Sequence, residues 1–270
     1  MIREFLRPAT LNEALALKEQ YGDHAVYMAG GARLNATPTR TNKKVAISLT
    51  GLSLQVPDLK RCEKTARGWE IGALLTLQQL KDNPELPEGV REAAGLIYSR
   101  NVRNQMTLGG EIAANLSTCL IVPALLALKA RVELAEGPVL TVEEYQRQPA
   151  GLITKVIIPG DIQFCGNDKV LKSCASSPVV SASFAVTRID DKICLGIALA
   201  DVAKKPVRLH DIEPLAADYL ANKMTREAFT KAVSEAVYPE TDLHGSAGYK
   251  RQISGVLLSS LVTTFKVRGN

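Results

Sequence analysis

Two glycine-rich segments constrain this chain more than any other feature. The first, Ala29-Gly30-Gly31-Ala32-Arg33-Leu34-Asn35-Ala36-Thr37, follows the β-prone stretch Ala25-Val26-Tyr27-Met28. The second, Asn104-Gln105-Met106-Thr107-Leu108-Gly109-Gly110-Glu111-Ile112, follows a helical stretch much further on. Glycine reaches positive φ and lets a ligand approach the backbone, so successive N–H groups can converge on a phosphate. A single Gly-Gly pair is common in ordinary loops. Two of them predict a diphosphate gripped from both sides, with the ligand stretched between two subdomains.

Neither segment has the Gly-x-Gly-x-x-Gly spacing of a Rossmann turn with its downstream acidic residue, and no Gly-Lys-Ser/Thr is present. Phosphate would therefore be held by backbone amides, with the hydroxyls of Thr37, Thr39 and Thr107 nearby. Arg33 and Arg103 are the available cations, and each reads equally well as a surface residue. No nucleophile–base or acid–base pair is evident, so any redox chemistry has to come from a cofactor.

Composition excludes several classes. The chain has 270 residues and a formal charge of +5, with Lys and Arg scattered and few aromatics among them. This predicts a solvated surface and not a nucleic-acid site. No apolar run is long enough to span a bilayer, and the first residues lack the pattern of a signal peptide, so a cytoplasmic protein without a membrane segment is expected. Cys62, Cys119, Cys165, Cys174 and Cys194 show no metal-ligand spacing, and His24, His210 and His244 are far apart. Reduced thiols and no metal site are expected. Cys119 reads as a small buried residue and not as a redox thiol.

The periodicity predicts an α+β chain. Thr10 and Glu13 form a capping box for a helix over 10–20, which Gly22 ends. Strands are expected at 25–28, 46–49, 69–73, 131–134 and 153–158, and helices at 77–82, 85–98 and 123–128. The polar, glycine-containing stretch 160–169 reads as a domain boundary. Beyond it, 179–188 and 192–199 alternate as a hairpin about Asp190-Asp191, followed by helices over 213–222, 225–237 and 245–265.

Several of these residues resemble a known family. Ala29 to Leu34 resembles the AGGTDLL loop of the FAD-binding subunits of molybdenum hydroxylases, and Arg103 to Ala113 resembles their RNVATIGGNIA segment. Pro123 to Ala130 is similar to their PALLALGA helix, and His244 to Arg251 to their RGSAEYRR signature. The order of the four motifs is kept across nearly the whole chain. The family includes the medium subunit of carbon monoxide dehydrogenase and the FAD subunit of xanthine dehydrogenases. Gly30 to Arg40 is most similar to subunits associated with purine hydroxylases and putative selenate reductases.

The resemblance implies two α/β subdomains, about 1–55 and 56–160, forming an FAD-binding cleft. It also implies a C-terminal domain, 165–270, with an antiparallel sheet and a helical bundle. It implies FAD contacts from Ala29, Gly30, Gly31, Ala32, Arg33, Leu34 and Asn35, and from Thr107, Gly109, Gly110 and Glu111. Ile153 would lie near the flavin ring and Lys169 would approach it, although Lys169 also reads as a solvated side chain and Glu111 as a local hydrogen-bonding residue. Tyr249 reads as core packing or as a flavin shield, with core packing preferred. Partner subunits would carry the molybdenum cofactor and the iron–sulfur clusters, and NAD or another acceptor would take the electrons.

Departures from the family pattern are concentrated at the cofactor. Thr-Asp of the first loop is Ala32-Arg33, the Asn of the second is Glu111, and Ser-Asp-Leu before the proline helix is Cys119-Leu120-Ile121. The residues usually Arg and Asp after the lysine are Ser173 and Ser176. Two rival readings stay open: an FAD-free scaffold subunit, and a self-contained FAD oxidoreductase.

Overall fold

The computed structural model describes residues 2–35, 41–173, 176–189 and 191–268. Thr37, Thr39, Arg40, Cys174 and Asp190 lie outside these. The described chain builds three bodies, each around its own apolar cluster.

The first body holds β1 (Glu4–Leu6), α1 (Leu11–Tyr21), β2 (Ala25–Met28), α2 (Ala32–Asn35) and β3 (Val45–Ser48). Its strands are parallel in the order β1-β3-β2. The central strand is buried along its whole length, as a parallel strand covered on both faces must be. Thr10 Oγ1 accepts from Glu13 N at 3.1 Å, while the Glu13 carboxylate accepts from Ala9 N at 2.7 Å, so the capping pair closes one residue earlier than the standard box.

The second body runs through β4 (Cys62–Thr65), β5 (Gly68–Gly72), α3 (Leu77–Asp82), α4 (Glu88–Gly95), α5 (Arg100–Gln105), α6 (Leu108–Ala114) and α7 (Val122–Ala127). It continues through β6 (Arg131–Leu134), β7 (Leu140–Thr141), α8 (Val142–Arg147) and β8 (Ile153–Ile158). Its antiparallel sheet has the order β4-β5-β8-β6-β7. The helix expected over 85–98 is confined to Glu88–Gly95. Pro87 precedes its first turn, and the chain then turns at Leu96 before Ser99 caps α5.

The third body carries β9 (Ile162–Leu171), β10 (Pro178–Ile189), β11 (Lys192–Ala200), β12 (Val207–Arg208), α9 (Glu213–Leu220), α10 (Arg226–Ala236) and α11 (Ala247–Arg268). Its sheet is antiparallel in the order β12-β11-β10-β9. Most of the segment read as a polar boundary is therefore strand. The polar side chains of β9 mislead because the strand sits at the sheet edge, and the turn between bodies is compressed to Pro159–Asp161.

One face of this sheet packs on α9, α10 and α11, with Phe184, Phe229 and Leu258 fully buried. From the other face, Ala185 and Ala198 join the core of the second body. No helix among the described residues is long and apolar enough to cross a membrane. The contact between the two bodies is close at Gly196, where an added Cβ would sit 1.9 Å from the Ala127 carbonyl oxygen. Backbone cannot yield as a flexible side chain does, so Gly196→Ala should lower stability by about 2 kcal/mol or more. Denaturant midpoints of the two proteins check this; equal midpoints would show that α7 does not press on β11.

Candidate functional site: a cleft between two glycine segments

The first glycine segment leaves β2 at Met28, turns with Gly31 at φ +73°, and enters α2. Glycine is required at position 30 because a Cβ there would lie 1.6 Å from the Gln105 carbonyl oxygen, at the end of α5. Asn35 N donates to Gly31 O at 2.8 Å. Among the described residues, the amides of Gly30, Gly31, Ala32, Arg33 and Leu34 have no acceptor. Successive free N–H groups in such a turn form a concave donor surface suited to an anion.

The second segment differs from the expected turn. Gly109 and Gly110 lie in the first turn of α6, which Thr107 caps by accepting from Gly110 N at 3.2 Å. Leu108 N donates to Leu75 O, Gly109 N to Ala73 O and Glu111 N to Thr107 O, each at 2.9 Å. The amides that would have faced phosphate are thus engaged inside the protein. Close packing explains the two glycines: a Cβ on Gly109 would meet Ala73 Cβ at 2.7 Å, and one on Gly110 would meet Thr107 Oγ1 at 2.7 Å. The Thr107 hydroxyl keeps its proton to donate.

The side chain joining the two segments is Arg33. Its Nε donates to Glu111 Oε1 at 3.0 Å, and its Nη2 to Glu111 Oε2 at 3.3 Å. Its Nη1 donates to Thr118 Oγ1 and Nη2 to Thr118 O, each at 3.0 Å. Glu111 is 1% exposed. Burial pushes its carboxyl above the usual range, and the guanidinium opposes that push. Cys119 lies beside the pair, and burial, reinforced by Glu111, pushes its thiol up to about 12. It remains a protonated thiol at neutral pH, as a small buried residue would.

Two cavities meet at Arg33. One, of about 170 Å³, is lined by Val26 to Leu34 and by Gln105, Met106, Thr107, Gly110, Glu111, Ala113 and Ala114. The other, of about 320 Å³, is lined by Leu96, Ile97, Tyr98, Leu120, Lys169, Ser177 and Pro178 among others. Arg33 and Met106 line both, so the two form successive parts of one cleft. A donor-rich turn beside an apolar pocket, with a larger mixed pocket beyond it, fits an elongated dinucleotide.

The expected site residues divide accordingly. Ala29, Gly30, Gly31, Ala32, Arg33, Leu34, Thr107, Gly110 and Glu111 surround the first cavity, and Lys169 lines the second, where its Nζ meets the Leu96 carbonyl. Asn35 and Gly109 line neither. Ile153 is 5% exposed and packs in the core of the second body. Arg103 is neither a phosphate cation nor a surface residue: it is buried, donating to Gln78 Oε1 at 2.8 Å and to the Ile97 and Tyr98 carbonyls. Tyr249 is 43% exposed on α11, so the core reading does not hold.

The family model described as the FAD binding domain in molybdopterin dehydrogenase matches residues 1–161. The chain belongs to this family. The model described as the CO dehydrogenase flavoprotein C-terminal domain matches residues 176–265. The Escherichia coli (strain K12) protein YgfM is 43% identical over 97% of this chain and 95% of its own length. The carbon monoxide dehydrogenase medium chain of Afipia carboxidovorans is 26% identical over 98% of this chain and 97% of its own. A crystal structure of the Cu,Mo-CO dehydrogenase shares the fold, with a TM-score of 0.86 at 21% identity over 99% of each chain. The quinoline 2-oxidoreductase of Pseudomonas putida gives a TM-score of 0.81 at 16% identity over 99% of this chain and 98% of that one. As a member of this FAD-binding family, the chain is an oxidoreductase subunit whose cofactor is FAD.

Sequence reasoning left Arg33 and Glu111 as separate departures. Their opposite charges, each replacing a family residue in a facing motif, were the signal that they pair. It also passed over Asp201, which has no marker beyond ending an apolar strand. Asp201 is 7% exposed at φ +65°, and its Oδ2 has no hydrogen-bond partner. Lys250, from the His244 to Arg251 motif, donates to Asp201 O at 3.1 Å and to Asp242 Oδ2 at 2.6 Å.

Burial pushes the Asp201 carboxyl up to about 7, against the pull of Lys250. An unfolded aspartate titrates near 3.9. Between these values the folded chain binds the proton and the unfolded chain does not, so stability falls as pH rises from about 4 to about 7. Asp201→Asn should remove this part of the slope. Urea midpoints for both proteins at pH 5 and pH 8 measure it, and parallel slopes would contradict the assignment.

Proposed function

We propose that the chain is the FAD subunit of a molybdenum hydroxylase of the purine-oxidising, xanthine dehydrogenase-like type. In this reading, partner subunits carry the molybdenum cofactor and the iron–sulfur clusters, and FAD passes the electrons to NAD or another acceptor. The observation that carries it is the run of amides from Gly30 to Leu34, free of acceptors among the described residues, beside two cavities that share Arg33 and Met106. FAD, when bound, supplies the two-electron to one-electron conversion such a complex needs.

The chain's own residues bind and shield. The amides of the first turn take the diphosphate, and the Thr107 hydroxyl adds a donor from the opposite wall. Val26, Tyr27, Met28, Ala113 and Ala114 give the adenosine end an apolar enclosure. Leu120, Ile97 and Pro178 exclude water from the larger pocket, where Lys169 and Ser177 provide polar contacts. Arg33 and Glu111 neutralise one another at the waist. Ile153 packs in the core of the second body.

Absorbance spectra of the purified chain, with acid extraction of any cofactor, test the reading. Flavin bands, release of FAD and anaerobic bleaching by NADH are expected, together with co-purification of iron–sulfur and molybdenum subunits. Bound FAD that NADH leaves oxidised in the assembled complex would remove NAD as acceptor. A chain that binds no FAD even with its partners would leave the scaffold reading.

A further inference from the structure

The buried pair between the glycine segments has a role that neither residue has alone. Glu111 sits almost fully inside the protein on α6, and Arg33 closes on it from α2 with two nitrogens on two carboxylate oxygens. Nη1 also donates to the hydroxyl of Thr118, and Nη2 to its carbonyl. Arg33 lines the cleft beside its own turn, but its guanidinium is hydrogen bonded to the second body. A buried carboxylate costs several kcal/mol unless it is paired, and the bidentate geometry is the arrangement that offsets this cost.

We propose that Arg33 and Glu111 act together as a positioning pair: a charge-neutral clasp that fixes the first glycine turn against α6, so that the backbone amides of the turn, and neither of these two side chains, bind the FAD diphosphate. The inference rests on the FAD reading of the cleft. It assigns neither side chain to the phosphates. It also accounts for both departures from the family pattern at once: without Arg33 the buried Glu111 carboxylate would have no cation, and without Glu111 the half-buried Arg33 would lose its bidentate partner.

The test is FAD binding to the flavin-stripped full chain, followed by flavin fluorescence anisotropy across a range of salt concentrations. Arg33→Met and Glu111→Gln should each weaken FAD binding tenfold or more, because the first leaves the buried Glu111 without a cation and the second removes the carboxylate that holds Arg33 in place. The double variant Arg33→Met/Glu111→Leu should return to within about threefold of the parent, since a neutral apolar pair restores the clasp. The dependence of binding on salt should be the same in the parent and the double variant, because no side-chain cation meets the diphosphate.

A double variant as weak as Arg33→Met, or one with a shallower salt dependence, would show that Arg33 binds phosphate directly and would overturn the proposal. Glu111→Gln binding as tightly as the parent would also overturn it. So would a double variant that fails to unfold cooperatively, because the claim is that the junction requires neutrality and not the charges. Absence of FAD binding by the parent is a different outcome: it removes the FAD reading itself and the clasp with it.

Discussion

A carboxylate buried to the extent of Glu111 has to be met by a cation, and in this chain that cation comes from a different body. The consequence is geometric. α6 belongs to the five-stranded sheet and α2 to the parallel three-stranded one, so the pair fixes the distance between the two walls of the cleft. Gly30, pressed on the Gln105 carbonyl, removes the remaining freedom. The first turn is then held in place by its side chain while its amides stay free of acceptors among the described residues. Preorganisation of this kind lowers the cost of ligand binding because the donors need no further ordering.

The third body completes the cleft instead of standing apart from it. Its sheet packs on α7 through Ala185, Ala198 and Gly196, and β9 brings Lys169 to the larger pocket. Lys250 and Asp242 tether the chain at Asp201, which lies on the side of the junction where Arg33 and Cys119 feel its charge. Polar residues from the three bodies therefore converge on the cleft: Arg33 and Glu111 line its first cavity and Lys169 its second.

Much of the fold was legible in the sequence, and the exceptions have physical causes. β2, β5, β6, β8 and the β10–β11 hairpin alternate or run apolar, and α1 and α3 carry their caps at Thr10 and Thr76. β1 and β4 are short edge strands whose faces are partly exposed, so they give no periodic signal. β9 was obscured by Gln163, Gly166, Asn167 and Asp168; its pairing with the buried β10, and not its own hydrophobicity, makes it a strand. At the site, the motif order brings both segments to one cavity, but the second is the first turn of a helix with bonded amides and not an open turn. Gly-Gly is a poor helix former, and only the close approach of Ala73 explains why α6 tolerates and needs it there. Arg103 and Arg33 could not be told apart from their sequence context. One anchors the α4–α5 connection and the other bridges two bodies, a distinction set by tertiary contacts alone.

The most direct measurement is the change in backbone amide resonances on adding FAD to the isotopically labelled, flavin-stripped chain. The amides of Gly30, Gly31, Ala32, Arg33 and Leu34 should shift strongly as they acquire an acceptor. Those of Leu108, Gly109, Gly110 and Glu111, already hydrogen bonded within the protein, should move little. Large shifts confined to the second set, with the first unchanged, would contradict the assignment of the diphosphate to the first turn.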